Sequence, residues 1–223
     1  MMDALSARVL YVDLTRKRYW AEERRDLLEE ALGGVGAAVR LARELGAASA
    51  DPLGPDNPVV LAVGPMTGLY PMASKTAAVF RSPLTGNLGE SYAGGRSALA
   101  IRMAGYLAVA ILGASEEPLY LSISERGVRF RDASALWGMY SSITVGRVLR
   151  EREPGAGFRT IMRIGPAGEN LVRYACVVTE TFRHFGRLGL GAVFGSKRLK
   201  ALVVSGKAPI KVSDPRLYRE LYK

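Results

Sequence analysis

"FRHFGRLGLGAVFGSKRLKALVVSG", residues 182–206, sets five glycines and six basic side chains ahead of an apolar run. Its order is a glycine loop with a short helix (189–199), then an apolar strand, "ALVVSG" (201–206). The same order occurs upstream. "VVLAVGP" (59–65), "AAVF" (77–80), a glycine loop with a helix (94–104) and "LAVAILG" (107–113) are matched by "TIMRIGP" (160–166), "ACVV" (175–178), 189–199 and 201–206. Five features in one order favour a duplicated unit. The expected fold is α+β, with duplicated repeats of strands and short helices about a pseudo-twofold axis. Such an axis would carry two equivalent glycine loops to one surface, where one ligand could meet both.

The remaining elements follow from local pattern. "ARVLYVDLTRKRYWAEE" (7–23) reads as a hairpin turning at Thr15–Lys17. Residues 26–45 have helical apolar spacing, interrupted by Gly33, Gly34 and Gly36. Strands are expected at 59–63, 76–82, 106–112, 119–124, 127–133 and 158–165, and helices at 96–104 and within 141–153. "PLTGNLGESYAGG" (83–95) reads as a glycine-rich loop. "GPAGENLVRYACVVTET" (165–181) reads as a loop and a strand, with Cys176 inside the strand as a buried, inert thiol.

Composition removes several function classes. One cysteine and one histidine, His184, exclude an internal disulfide framework, a zinc cluster or an iron–sulfur site made by this chain alone. The longest apolar stretches are far shorter than a membrane span. "MMDALSARVLYVDL" puts Asp3 where a signal peptide would carry a cationic start, so a soluble cytoplasmic protein is expected. The absence of glutamine and the scarcity of asparagine fit a thermophile, or a GC-rich genome. A net charge of +10 admits nucleic acid, an anionic ligand or an acidic partner. The basic residues are dispersed and no aromatic-rich RNA-binding motif appears, which disfavours nucleic acid.

The glycine run fits no standard nucleotide motif. Gly186, Gly189 and Gly191 have the wrong rhythm for a dinucleotide fingerprint, and the segment around position 206 offers no acid before Asp214. A Walker loop needs Lys before Ser or Thr, whereas Ser196 precedes Lys197. What remains is general: glycines admit a ligand to the backbone, helix starts attract anions, and Arg183 and Arg187 flank Gly186. On spacing alone a tight strand–helix turn with solvated arginines is the favoured alternative. Most acids read as surface ion pairs, with Glu90 and Glu169 set apart by lying in glycine loops.

Taken together, "LGGVGAAVRLAREL", "GPDNPVVLAVGPMTG", "SPLTG", "AGG", "AGYLAVAILGASEEPLYLSI", "DASALWG", "IGPAGENLVRYA" and "GRLGLGAVFGSKRLKALVVSG" resemble, in that order, the N-terminal domain of the tungsten-containing aldehyde ferredoxin oxidoreductase family. The resemblance implies an α+β domain of two related repeats that seats a bis-pterin tungsten or molybdenum cofactor, tungstopterin or molybdopterin, with magnesium bridging its phosphates. Carried onto this chain, it implies cofactor contacts at Lys75, Tyr92, Ala93, Gly94, Gly95, Arg183, His184, Gly186, Arg187 and Gly189. It further implies that the backbone carbonyls of Tyr92 and His184 face the magnesium, and it assigns no catalytic residue to this chain.

The departures from the family pattern fall on the same face. Lys75 stands where the family has arginine, exchanging a two-pronged donor for a point charge. Val35 replaces a charged residue, Tyr92-Ala93 replaces Asn-Ser, and Leu188 interrupts a "GRGG" motif. In the family, the cysteines of the 4Fe-4S cluster and the acid–base groups lie in further helical domains. Residues 1–210 are therefore expected to form the N-terminal-like domain, and 211–223 the start of a segment leading to a second one. A larger subunit or C-terminal domains would supply the cluster, ferredoxin would be an indirect partner, and a homo-oligomer is left open. The implied activity is oxidation of aldehydes to carboxylates; the alternative is a non-catalytic relic domain that binds a partner or a pterin.

Overall fold

The computed structural model describes residues 6–153, 155 and 157–222. Asp3 and positions 1, 2, 4, 5, 154, 156 and 223 lie outside the described residues. Among the described residues, twelve strands form two six-stranded mixed sheets. The first sheet has the order β2-β1-β6-β3-β4-β5, from β1 (Arg8–Asp13), β2 (Arg18–Glu23), β3 (Val59–Val63), β4 (Thr76–Arg81), β5 (Leu88–Ala93) and β6 (Ala108–Leu112). The second, read in the same sense, is β8-β7-β12-β9-β10-β11. Its strands are β7 (Leu119–Ser124), β8 (Gly127–Asp132), β9 (Phe158–Arg163), β10 (Val177–Val178), β11 (His184–Phe185) and β12 (Leu199–Gly206).

The two orders are one topology used twice. In each sheet a hairpin's first strand pairs in parallel with the last strand of its half, β1 with β6 and β7 with β12. Every other pairing is antiparallel in both. Register coincides as well: Ala62 pairs with Ala108 as Arg163 pairs with Ala201. The duplication therefore starts earlier than the sequence echo, because the hairpins β1–β2 and β7–β8 belong to it.

Strand alternation gives each sheet two apolar faces. Inward, Leu10, Val12, Val59 and Leu61 of one sheet meet Leu121, Ile123, Met162 and Leu202 of the other in a common core. Two short helices, α3 (Ser97–Met103) and α6 (Leu190–Ser196), are buried in that layer. Phe185 and Phe194 are fully buried there, each burial contributing about 1.5–3 kcal/mol. Outward, α1 (Arg25–Ala31) and α2 (Gly34–Glu44) cover the first sheet. The second is covered by α4 (Ser142–Arg152), whose Val145 and Leu149 pack on Tyr120, Ile161 and Val203. A four-residue helix, α5 (Pro166–Glu169), and a final helix, α7 (Pro215–Tyr222), complete the fold.

Three local readings change. Residues 88–93, expected as loop, form β5, whose buried positions are Gly89, Ser91 and Ala93. The α1–α2 break falls at Leu32 and Gly33, both with positive φ. Cys176 lies just before β10, half-buried, and burial raises its thiol pKa, in keeping with an inert thiol.

Both sheets shield their edges. At one side Tyr19 of β2 lies against Gly127 of β8. At the other, β5 and β11 lie side by side, and that seam positions the candidate site.

Candidate functional site

The seam runs antiparallel without a backbone ladder. Leu188 covers Gly89, Ser91 Oγ accepts from Arg187 N at 3.2 Å, and Gly95 faces Thr181 and Arg183. Ser82 Oγ donates to the Leu188 carbonyl at 2.8 Å. The glycines that follow each strand thus come together from the two halves, as the duplicated fold requires.

Equivalence extends to single residues. Ala93 and Phe185, the last residues of β5 and β11, both point into the common core, at 1% and 0% exposure. Strand alternation turns the preceding Tyr92 and His184 to the opposite face. Lys75 joins them because Thr76 pairs with Ala93, which sets Lys75 opposite Gly94. Lys75, Arg183, His184 and Arg187 are exposed, so four basic residues lie beside these glycines in register or in sequence. The acid among them, Glu90, accepts from the Tyr92 hydroxyl at 3.0 Å. Burial, then Glu90, raises the Tyr92 pKa, while Arg187 opposes the rise.

The glycines divide into two kinds. A methyl on Gly94 would meet nothing within 4 Å, and one on Gly186 only the His184 Cβ at 3.8 Å. Both leave bare backbone beside positive charge, which suits phosphate groups. Gly189, Gly191 and Gly195 are packing residues. Methyls there would overlap the Arg173 carbonyl, the Ala175–Cys176 backbone and the Gly168 carbonyl, respectively. Gly189, at φ +83°, also makes the turn into α6. Of the sequence-read positions, Lys75, Tyr92, Gly94, Gly95, Arg183, His184, Gly186 and Arg187 gather at the seam. Ala93 offers it only backbone, and Gly189 faces the interior.

The basic run at 182–206 divides likewise. Lys197 and Lys200 are fully buried, and Arg198 stacks over Trp137 at 5.4 Å. Lys200 pairs with Glu169, whose other oxygen accepts from Gly138 N at 2.9 Å, so Glu169 is structural. Ser91 and Thr181 are seam residues that the sequence reading does not include. Their signal is tertiary, since the partners are far apart in the chain. Among the described residues no group of three or more His, Cys, Asp or Glu could hold a metal, so a metal here would rely on backbone oxygens and its cofactor.

Residues 9–206 match the family model for the aldehyde ferredoxin oxidoreductase N-terminal domain. The chain belongs to this family. It is 37% identical over 213 residues to the tungsten-containing aldehyde ferredoxin oxidoreductase of Thermococcus kodakarensis, covering 95% of this chain and 35% of the relative. It is also 35% identical to the aliphatic sulfonate oxidoreductase, WOR-like subunit, of Pyrococcus furiosus, covering 100% of this chain and 38% of that one. Among solved structures, the active-site complex BamBC of benzoyl-coenzyme A reductase, in complex with 1,5-dienoyl-CoA, superposes with a TM-score of 0.90 at 32% identity. That match covers 98% of this chain and 33% of the other. The chain thus spans about a third of the length of these relatives. No helix among the described residues is long and apolar enough to cross a membrane.

Proposed function

We propose that this chain is the cofactor base of a tungsten- or molybdenum-pterin oxidoreductase that takes aldehydes to carboxylates, with ferredoxin as the electron acceptor. The observation that supports this most is the seam, where the glycine loops of two equivalent halves converge between exposed cations. The residues fit the group. Gly94 and Gly186 admit phosphates to the backbone, Gly95 makes the turn between Gly94 and the other half, Arg183 and Arg187 donate charge-assisted hydrogen bonds, and Lys75 adds a point charge. The carbonyls of Tyr92 and His184 are offered to magnesium from matching positions in the two strands.

When bound, the metal–pterin group supplies the redox chemistry. The chain's share is to bind and orient it. The relatives' names cover aldehydes, sulfonates and an aromatic acyl-coenzyme A over one shared base, which argues that this domain seats a cofactor and that substrate choice lies elsewhere. A 4Fe-4S cluster would come from a larger subunit or from domains beyond residues 1–210, with 211–223 leading toward them. A cytoplasmic location follows from the same reading.

Native mass spectrometry with tungsten and molybdenum analysis, on protein isolated from its own organism, tests the reading. Metal and pterin in complex with a cysteine-bearing partner are expected. Metal-free protein lacking pterin would overturn it.

A further inference from the structure

Beneath the hairpin loop that carries Arg183, a polar cavity of about 100 Å³ is lined by Arg96, Arg150, Arg159, Glu180, Gly155, Gly157 and Ile161. Glu180 sits where β10 has ended and caps the free edge of β9. Its Oε2 accepts from Thr160 Oγ1 at 2.5 Å and from Ile161 N at 2.9 Å. The other oxygen, Oε1, is buried and accepts no hydrogen bond among the described residues. An unsatisfied buried carboxylate oxygen calls for a donor.

The cations around it have donors to spare. Among the described residues, neither the Arg96 nor the Arg150 side chain, both of them exposed, forms a hydrogen bond or ion pair within the protein. Arg159 donates one of its nitrogens to the carbonyls of Arg150 and Glu153. Burial, then the neighbouring Arg150, lowers the Arg159 pKa, while Glu180 opposes the fall. Three guanidiniums against one carboxylate leave two positive charges around a space sized for one tetrahedral ion.

We infer that this cavity is a binding site for hydrogen phosphate, with the three arginines donating to its bare oxygens and Glu180 Oε1 accepting from its P–OH. The dianion balances the net charge, and its single proton meets the single orphan acceptor. Sulfate has the same shape and charge but no proton, so it would set an oxygen against the carboxylate. Discrimination of this kind, by a site built around one hydrogen bond, is worth at least about tenfold.

Isothermal titration of the full chain with inorganic phosphate and with sulfate, at matched ionic strength and neutral pH, tests this. Phosphate should bind at least about tenfold more tightly than sulfate. Glu180→Gln keeps an acceptor for Thr160 and Ile161 while turning an amide donor to the cavity, so sulfate should then bind as tightly as phosphate, or tighter. Arg96 is exposed, and Arg96→Ala should fold normally while weakening phosphate about tenfold. That variant carries the test if Glu180→Gln fails to fold. Equal binding of both ions by the unaltered chain, no phosphate binding, or unchanged phosphate affinity in Arg96→Ala would overturn the site.

Discussion

Ala62, Ala104 and Leu107 in the first half occupy the topological places of Arg163, Lys197 and Lys200 in the second. The shared pairing of Ala62 with Ala108 and of Arg163 with Ala201 fixes that alignment. All six are buried. The helix ends between them match too: Gly105 has φ +90° and Arg198 φ +55°, both left-handed. One fold therefore tolerates apolar and cationic interiors at equivalent points, provided each cation is answered locally. Lys200 has Glu169, Arg163 donates to the Ser142 carbonyl at 2.8 Å, and Lys197 donates to the carbonyls of Pro55 and Gly113 at 3.1 and 2.7 Å. Topology follows the apolar alternation, while the identity of individual interior residues is free to diverge.

The largest break in this comparison should come at Lys200. Lys200→Met strands Glu169 in the interior and should cost about 3–5 kcal/mol in denaturant unfolding. At the matching position, Leu107→Met should cost less than about 1.5 kcal/mol. Equal losses at the two sites would show that the pair contributes nothing beyond volume.

Lys197 sharpens the contrast through pH. Burial lowers its pKa from 10.5 to about 7, against a small opposing pull from Asp56. A neutral amine has two N–H donors, matching its two carbonyl partners. Between about pH 7 and 10.5 the unfolded chain holds a proton here that the folded chain lacks, so this group adds stability as pH rises through that window. Its contribution is lost as pH falls toward 7. Subtracting the unfolding profile of Lys197→Met should isolate a rise on the order of a few kcal/mol. A flat difference would mean the lysine stays charged in the folded state.

Gly146 of α4 makes room for Arg163: a methyl there would sit 2.9–3.1 Å from three guanidinium atoms. Gly146→Ala should cost about 1–3 kcal/mol by overpacking. An undiminished midpoint would show that the arginine can move aside, and that the second half is looser than its burial suggests.

How far this was legible in the sequence follows from the same features. The five-feature core of each half is legible because most of its strands are apolar runs. The hairpins β1–β2 and β7–β8 hid their equivalence, since "RVLYVD" and "LYLSIS" share only alternation. β5 passed for a loop because its inward residues are Gly89, Ser91 and Ala93, kept small where Leu188 and Arg187 of the other half press on them. At the seam, the exposed cations and Gly94, Gly95 and Gly186 were found through family motifs. The burial of Lys197 and Lys200, and the packing role of Gly189, depend on neighbours that no local pattern reveals.

The smallest stability effect should be the most informative for function. Gly94 and Gly195 are both glycines with ordinary negative-φ-compatible backbones, outside the positive-φ set, yet only Gly195 has a neighbouring backbone in the way of a methyl. Gly94→Ala should leave stability within about 0.5 kcal/mol, as for an unobstructed surface change. If the seam seats the phosphates of a pterin cofactor, the same methyl stands between ligand and backbone, and tungsten or molybdenum retained on purification should fall. Arg183→Ala should lower retention in parallel without unfolding the chain. Retention unchanged in both variants, with the fold intact, would separate the shape of the seam from the function proposed for it: the convergence of the two glycine loops would then be a consequence of duplication alone.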